Sequence, residues 1–312
     1  MISGVLNIYK EKGYTSHDVV ACLRRIIGQK KIGHTGTLDP DAEGVLPVCL
    51  GRATKLCDML TDKDKTYETV LLLGKTTDTQ DISGEILEEK DTGSVTEQMA
   101  EEAVLKFIGE YDQVPPMYSA LKVGGRRLYE LAREGKTVER KSRKVTIHDI
   151  RILQISLPRI RMEVECSKGT YIRTLCSDIG DQLGTGGCME ELLRRKVGRF
   201  RLEESRKLSE IEQLVNEGQL SEALIPLDEM FTELPRIVMK QEWVFPVYNG
   251  NPFRADQAEP NGCPLLKDAQ VRVYDPLGNF IGIYCFDGRK MFRLEKMFLD
   301  PDAVLMKREG GR

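Results

Sequence analysis

The chain is poor in the groups that announce a metal or nucleotide enzyme. It has three histidines and one tryptophan in 312 residues. Its eight cysteines, at 22, 49, 57, 166, 176, 188, 263 and 285, form no Cys-x-x-Cys pair, and no histidine stands near one at zinc-ligand spacing. A structural metal is therefore not expected, and settings such as Val48-Cys49-Leu50 suggest buried free thiols. No apolar run approaches the roughly 20 residues of a bilayer span, and the N-terminus lacks the basic-then-apolar layout of a secretory leader, so a cytoplasmic protein is expected. Gly74-Lys75-Thr76 ends like a phosphate-binding loop, but the glycine required five residues earlier is Thr69, which removes nucleotide hydrolysis from the reading. No internal repeat or low-complexity tract is present.

What is present is an uneven charge distribution. The net charge of the chain is −3. Residues 116–201 nevertheless carry 19 Lys and Arg against 10 Asp and Glu, leaving 27 against 39 elsewhere. A surplus of this kind within an acidic protein is the footprint of a polyanion-binding face. Within it, residues 122–144 hold nine basic and three acidic residues around Gly124 and Gly125, and read as a basic arm or hairpin-like insertion.

The run Gly33-His34-Thr35-Gly36-Thr37-Leu38-Asp39-Pro40-Asp41-Ala42-Glu43-Gly44 has neither helix nor strand periodicity. Pro40 biases Asp39 away from helical geometry, and the glycines admit close approach of a ligand. An ordinary Gly/Asp/Pro turn and a loop presenting a carboxylate both fit these residues.

Along the rest of the chain, Gly4–Lys10 reads as a strand. A helix follows, capped at Thr15-Ser16 and closed by Gly28. Helices are expected over 53–60, from Ser94 to about Ile108, over 171–183 and 189–196, and after a Ser209/Glu212 capping box. Strands are expected over 66–73, 144–155 and 160–166. Arg173 falls in the first turn of its helix, where a cation opposes the helix dipole, a placement that more often serves a partner than a fold. Beyond Pro226, prolines 235, 246, 252, 260 and 264 punctuate short β-like runs, the texture of a small, mostly β module.

These motifs together resemble the bacterial tRNA pseudouridine-55 synthases, which isomerise the uridine of the tRNA T-loop. The resemblance rests on Gly33–Pro40 with Gly51-Arg52-Ala53-Thr54-Lys55, on Lys65 and Tyr67, on Met117–Lys122, on Ser167–Arg173 and on Leu193-Arg194-Arg195, in that order. It implies an α+β fold, a mixed sheet flanked by helices. Residues 1–230 would form the catalytic domain, with a thumb-like insertion around 122–144. Residues 231–312 would form a PUA-like RNA-binding domain.

By the same resemblance Asp39 is the catalytic aspartate, Tyr67 stacks on the target base, and Arg173 pairs with Asp39 and keeps it ionised. Leu193 would line the pocket and His34 would contact displaced RNA. Lys10 belongs to an N-terminal substrate motif, although Glu11 replaces the usual proline. Lys122, Arg126, Arg127, Arg140, Lys141, Arg143, Lys144, Arg194 and Arg195 would hold phosphates of the T-loop and elbow, with the acceptor stem reached by the C-terminal domain. No metal, cofactor or protein partner is implied, and a monomer suffices. The competing expectation is a non-catalytic RNA-binding or tRNA-folding chaperone using the same basic face.

Overall fold

The computed structural model describes residues 1–259 and 266–299; Pro260, Cys263 and Pro264 lie outside them. Its centre is a ten-stranded sheet. In spatial order the main path runs Leu224–Ile225, Gly4–Lys10, Glu43–Leu50, Gly187–Val197, Lys65–Leu73, Arg159–Cys166, Arg143–Ser156 and Gly109–Gln113. Ile32–His34 and Phe200–Arg201 pair at its margins. The sheet is mixed: Gly187–Val197 pairs antiparallel with Lys65–Leu73 but parallel with Glu43–Leu50, at Leu193↔Glu43 and Arg194↔Gly44.

Alternation along the strands builds the core. Leu71, Ile160, Met162, Val164 and Cys166 pack against Ile172, Leu175 and Ile179 of the helix Ile172–Gln182 and against Ala100, Ala103 and Val104 of the helix Glu97–Leu105. Leu6, Ile8, Leu46 and Val48 pack against Val19, Val20 and Leu23 of the helix Ser16–Ile27. That helix is bounded as its sequence predicts, by a Thr15/Asp18 capping box and by Gly28 at φ 70°.

Several elements differ from expectation. Residues 189–196 lie within the strand Gly187–Val197. Their apolar spacing suits a helix face, but two flanking strands satisfy their backbone in extended form, so tertiary pairing overrides local pattern. Residues 53–60 divide into a 3₁₀ turn, Gly51–Leu56, and one α-turn, Cys57–Thr61. The helix expected from Ser94 is capped by Thr96 and ends at Leu105. The helix expected at Ser209 starts at Leu208, where Glu210 accepts from the Lys207 backbone N–H at 2.7 Å.

A second, five-stranded sheet, in the order Arg236–Val238, Gln270–Tyr274, Phe280–Phe286, Met291–Met297 and Phe253–Arg254, forms the C-terminal β module. It is not loosely tethered. Phe231, Ile283 and Phe298 share one apolar cluster with Val5, Cys49, Ala53 and Leu56 of the first sheet region, and Lys55 Nζ donates to the Met297 carbonyl at 2.8 Å.

The parallel junction depends on Gly44. Its φ is +106°, and a Cβ there would meet the Arg194 carbonyl oxygen at 2.3 Å. Gly13, at φ +87°, has nothing within 4 Å of a built Cβ. Both alanine substitutions incur backbone strain of about 1 kcal/mol or more. Gly44→Ala must in addition push the paired strands apart, so its melting temperature is expected to fall by several degrees more than that of Gly13→Ala. Equal losses in thermal melts of the two variants would contradict this account of the junction.

Candidate active site

The loop between the strands Ile32–His34 and Glu43–Leu50 is held through its own backbone. Thr35 N–H donates to the Pro47 carbonyl at 3.1 Å, and Gly13 N–H to the Pro40 carbonyl at 3.0 Å. Leu38 N–H donates to Ser16 Oγ at 2.9 Å, and Thr61 Oγ1 to the Thr35 carbonyl at 2.9 Å. Leu38 and Ala42 are buried in the sheet–helix core, so Asp39 is presented between two anchored apolar residues.

Two buried cations complete the clamp. Lys10 is 0% exposed, and its Nζ donates to the carbonyls of Ala42 at 2.5 Å, Pro40 at 3.0 Å and Glu11 at 3.2 Å. Burial pushes its ammonium down to about 8, against the opposing pull of Glu43 and Asp39. Arg194 is 1% exposed; its Nε donates to the Val45 carbonyl at 2.7 Å and its Nη1 reaches the Thr37 carbonyl at 3.4 Å.

Asp39 keeps 40% of its side chain exposed, and its Oδ2 lies 3.2 Å from Arg173 Nε. Arg173 projects from the first turn of its helix and is itself buried. Its Nη1 lies 3.2 Å from Asp81 Oδ2 and donates to the Thr79 carbonyl at 3.2 Å, while Nη2 donates to the Tyr118 carbonyl at 2.9 Å. The helix start is fixed by Gln113, whose Oε1 accepts from Tyr171 N–H at 2.8 Å and whose Nε2 donates to the Tyr171 carbonyl at 3.0 Å. The unfavourable helix-dipole position of Arg173 is thereby offset by two carboxylates and two carbonyls.

The guanidinium does not fully offset the burial of the Asp39 carboxyl. Burial raises it, Arg173 opposes, and the Asp81 charge adds to the rise. One cation shared by two carboxylates neutralises neither fully.

Tyr67 stands on the strand Lys65–Leu73, separated from Glu43–Leu50 by Gly187–Val197; it is buried in one apolar cluster with Leu38 and Ala42, with its hydroxyl against the Arg194 guanidinium. Its phenol is raised by burial, with Arg194 opposing. His34 is half-buried; its Nδ1 lies 3.1 Å from the Gly36 carbonyl and its ring meets His17 edge-on at 5.2 Å. Burial and then the neighbouring His17 lower its pKa, leaving the imidazole neutral at pH 7.

Some expected contacts are redirected. Arg194 cannot reach a phosphate, because it lies inside the protein beneath the loop. Arg195 sits on the opposite sheet face, 2.7 Å from Glu68 and 3.4 Å from Glu203. Lys10 is a loop anchor rather than a surface cation. Leu193 lines a cleft with Tyr9, Asp41, Glu43 and Glu68; Leu192 lines the same cleft and also packs against the Tyr67 cluster. A strand reverses side-chain direction at each residue, and the helical reading of this segment hides that parity.

In the arm, Arg126 pairs with Glu134 and Arg127 donates to Tyr129 Oη at 2.9 Å. Arg140 Nη1 anchors the arm to the Pro115 carbonyl at 3.0 Å. Lys122, Lys141, Arg143 and Lys144 are exposed or nearly so. Asp81 and Gln113 carry no motif that marks them; the polar run Thr76–Ser83 after a buried strand is the available signal for the first.

Because Asp39 titrates above its unfolded value of 3.8, its contribution to stability is complete below that pH and declines as pH rises through the folded value. Asp39→Asn is therefore expected to be at least as stable as the parent at pH 7, with the advantage shrinking toward pH 4. Thermal melts of both proteins across that range check it, and an Asn variant that is less stable at pH 7 would contradict it.

Known proteins share this architecture. Residues 24–172 match the model of the TruB family pseudouridylate synthase N-terminal domain, and residues 173–232 that of the tRNA pseudouridylate synthase B C-terminal domain. The tRNA pseudouridine synthase B of Lachnoclostridium phytofermentans is 51% identical over 308 residues, spanning 96% of this chain and 100% of the relative. That of Alkaliphilus oremlandii is 48% identical, spanning 91% and 90%. Among solved structures, a Cbf5–Nop10–Gar1 complex contains a chain superposing at TM-score 0.71 with 26% identity, over 96% of this chain and 86% of that one. An H/ACA ribonucleoprotein bound to a substrate RNA containing 2′-deoxyuridine superposes at 0.70 with 25% identity, over the same shares. A carboxylate loop clamped beside a buried guanidinium, on this mixed sheet and in this sequence, marks the chain as a member of the TruB family of pseudouridylate synthases.

Proposed function

We propose that this protein isomerises uridine to pseudouridine in tRNA, at position 55 of the T-loop, with Asp39 as the catalytic group. The observation that carries this reading is the Asp39–Arg173 pair: a partly exposed carboxylate on a rigid loop, 3.2 Å from a buried guanidinium and adjoining the buried Tyr67. Pseudouridine formation breaks an N-glycosidic bond, turns the base and rejoins it through carbon. An ionised carboxylate serves that chemistry as a nucleophile or as the group that stabilises the intermediate and removes a proton. Arg173 orients the carboxylate, and Tyr67 gives the base a flat apolar floor. The uridine of a folded T-loop must leave its stack to arrive there, at a cost of a few kcal/mol.

The charge distribution favours approach of RNA from one side. On the sheet face carrying Glu68, the basic surplus is largely cancelled. Arg161 and Arg195 each lie 2.7 Å from Glu68, Arg159 lies 2.7 Å from Glu190, and Arg151 lies 2.8 Å from Glu163. Lys122, Lys141, Arg143 and Lys144 on and beside the arm remain accessible and supply phosphate contacts. In this reading residues 1–230 form the catalytic domain, and residues 231–312 form a PUA-like domain that reaches the acceptor stem. The protein works as a cytoplasmic monomer.

Asp39→Ala is expected to abolish pseudouridine at position 55, mapped on total tRNA, while tRNA affinity stays within about tenfold, since the substitution removes chemistry and not phosphate contacts. Retained turnover would remove Asp39 from the mechanism. Reversing the charge of Lys141, Arg143 and Lys144 together should weaken binding and lower the slope of log affinity against log salt by about three, one per lost phosphate contact. An unchanged slope would exclude these residues as the RNA-binding element.

A further inference from the structure

Arg194 is the largest fully buried side chain among the described residues, and its hydrogen-bond partners there include no carboxylate. Removing a guanidinium from water without a counter-ion is costly, and its pKa is lowered by that burial. What the position obtains is two fixed acceptors, the Val45 and Thr37 carbonyls, and a place directly across the strand pair from Tyr67, whose hydroxyl lies against the guanidinium. Thr37 and Val45 flank the segment that carries Asp39, so one rigid fork ties both ends of the loop to the tyrosine beside it.

An arginine side chain only donates. Facing this guanidinium the Tyr67 oxygen can only accept, which leaves the phenolic hydrogen free for another acceptor. The titratable groups around the pair are Asp39 and Cys166 toward Tyr67, with Lys10, Lys65 and His34 also within electrostatic range of Arg194. Asp39 is the anion among them acting on both Arg194 and Tyr67.

We infer that Arg194 is a positioning residue for the reaction: it fixes the Tyr67 hydroxyl with its hydrogen turned away from the guanidinium, and holds Asp39's loop in register with that hydroxyl. This rests on the reading of Asp39 and Tyr67 given above. It assigns Arg194 no contact with RNA.

The test is a double-mutant cycle on single-turnover pseudouridine formation with an unmodified tRNA transcript, alongside tRNA affinity and thermal melts. Arg194→Lys keeps the charge and loses the fork. It should slow the chemical step about a hundredfold, the size of a proton-handling contribution, with affinity changed by less than about threefold, because no phosphate contact is lost. In a Tyr67→Phe background the same substitution should cost less than about threefold, since coupled groups are not additive. Multiplicative losses would overturn the proposal while leaving Tyr67's role intact. An unchanged rate for Tyr67→Phe alone would overturn both. If Arg194→Lys does not fold, Arg194→Gln replaces it. If neither folds, Tyr67→Phe decides: it should lower the melting temperature as well as the rate, because it strands a buried donor, and an unshifted melting temperature overturns the proposal.

Discussion

Lys10 and Arg194, both fully buried, direct their donors at the backbone carbonyls on either side of Asp39, and the rest of the site follows from that arrangement. A glycine-containing loop is ordinarily mobile, because its backbone has many accessible states. Here its carbonyls accept charge-assisted hydrogen bonds, each of which contributes about 1.5–3 kcal/mol. The clamp works from beneath, on the main chain, so it restrains the loop without occupying the side from which Asp39 is reached. The cost is two cations in low-dielectric surroundings, tolerable because Lys10 finds three carbonyl partners and the guanidinium finds two, with the Tyr67 hydroxyl beside it.

Arg173 solves a different problem. It lies beside two carboxylates, Asp39 and Asp81, and donates to two carbonyls, including that of Tyr118 at the base of the arm. The helix carrying it is seated by Gln113, and its apolar face packs on the same sheet that holds Tyr67. Loop, helix and strand thus converge through separate backbone anchors, so the distance between Asp39 and Arg173 is set by the fold as a whole. Sharing also leaves the Asp39 carboxyl above its ordinary range, because the guanidinium that opposes its burial is divided with Asp81.

The sheet divides the protein electrostatically. On the face carrying Glu68, arginines and glutamates alternate across neighbouring strands and neutralise one another, much as cross-strand pairs do in any exposed sheet. Individually such pairs add little stability. Collectively they neutralise that face, while Lys122, Lys141 and Arg143 on and beside the arm stay exposed. The C-terminal module shares an apolar cluster with the main sheet, so its position relative to the cleft is set by packing.

Much of this is legible in the sequence. The loop with its Asp-Pro bond, Arg173 at a helix start, the alternating strand at 160–166, the capped helix at Ser16–Ile27 and the basic run at 122–144 all follow from local chemistry: turn residues, periodicity, caps and charge. Asp39, Tyr67 and Arg173, far apart in the chain, are associated through recognisable motifs. Local chemistry does not decide which cations face water. Arg194 and Arg195 are adjacent and identical in type, yet one is buried under the loop and the other lies in an ion-pair network on the opposite face. That difference is the parity of a strand whose existence depends on neighbours more than a hundred positions away, at Tyr67 and Gly44. Asp81 and Gln113 act only through partners brought near by folding. Residue order alone thus carries the available chemistry and the family. Which copies of that chemistry lie inside is settled by the folded chain, because pairing and burial are properties of contacts that no single segment contains.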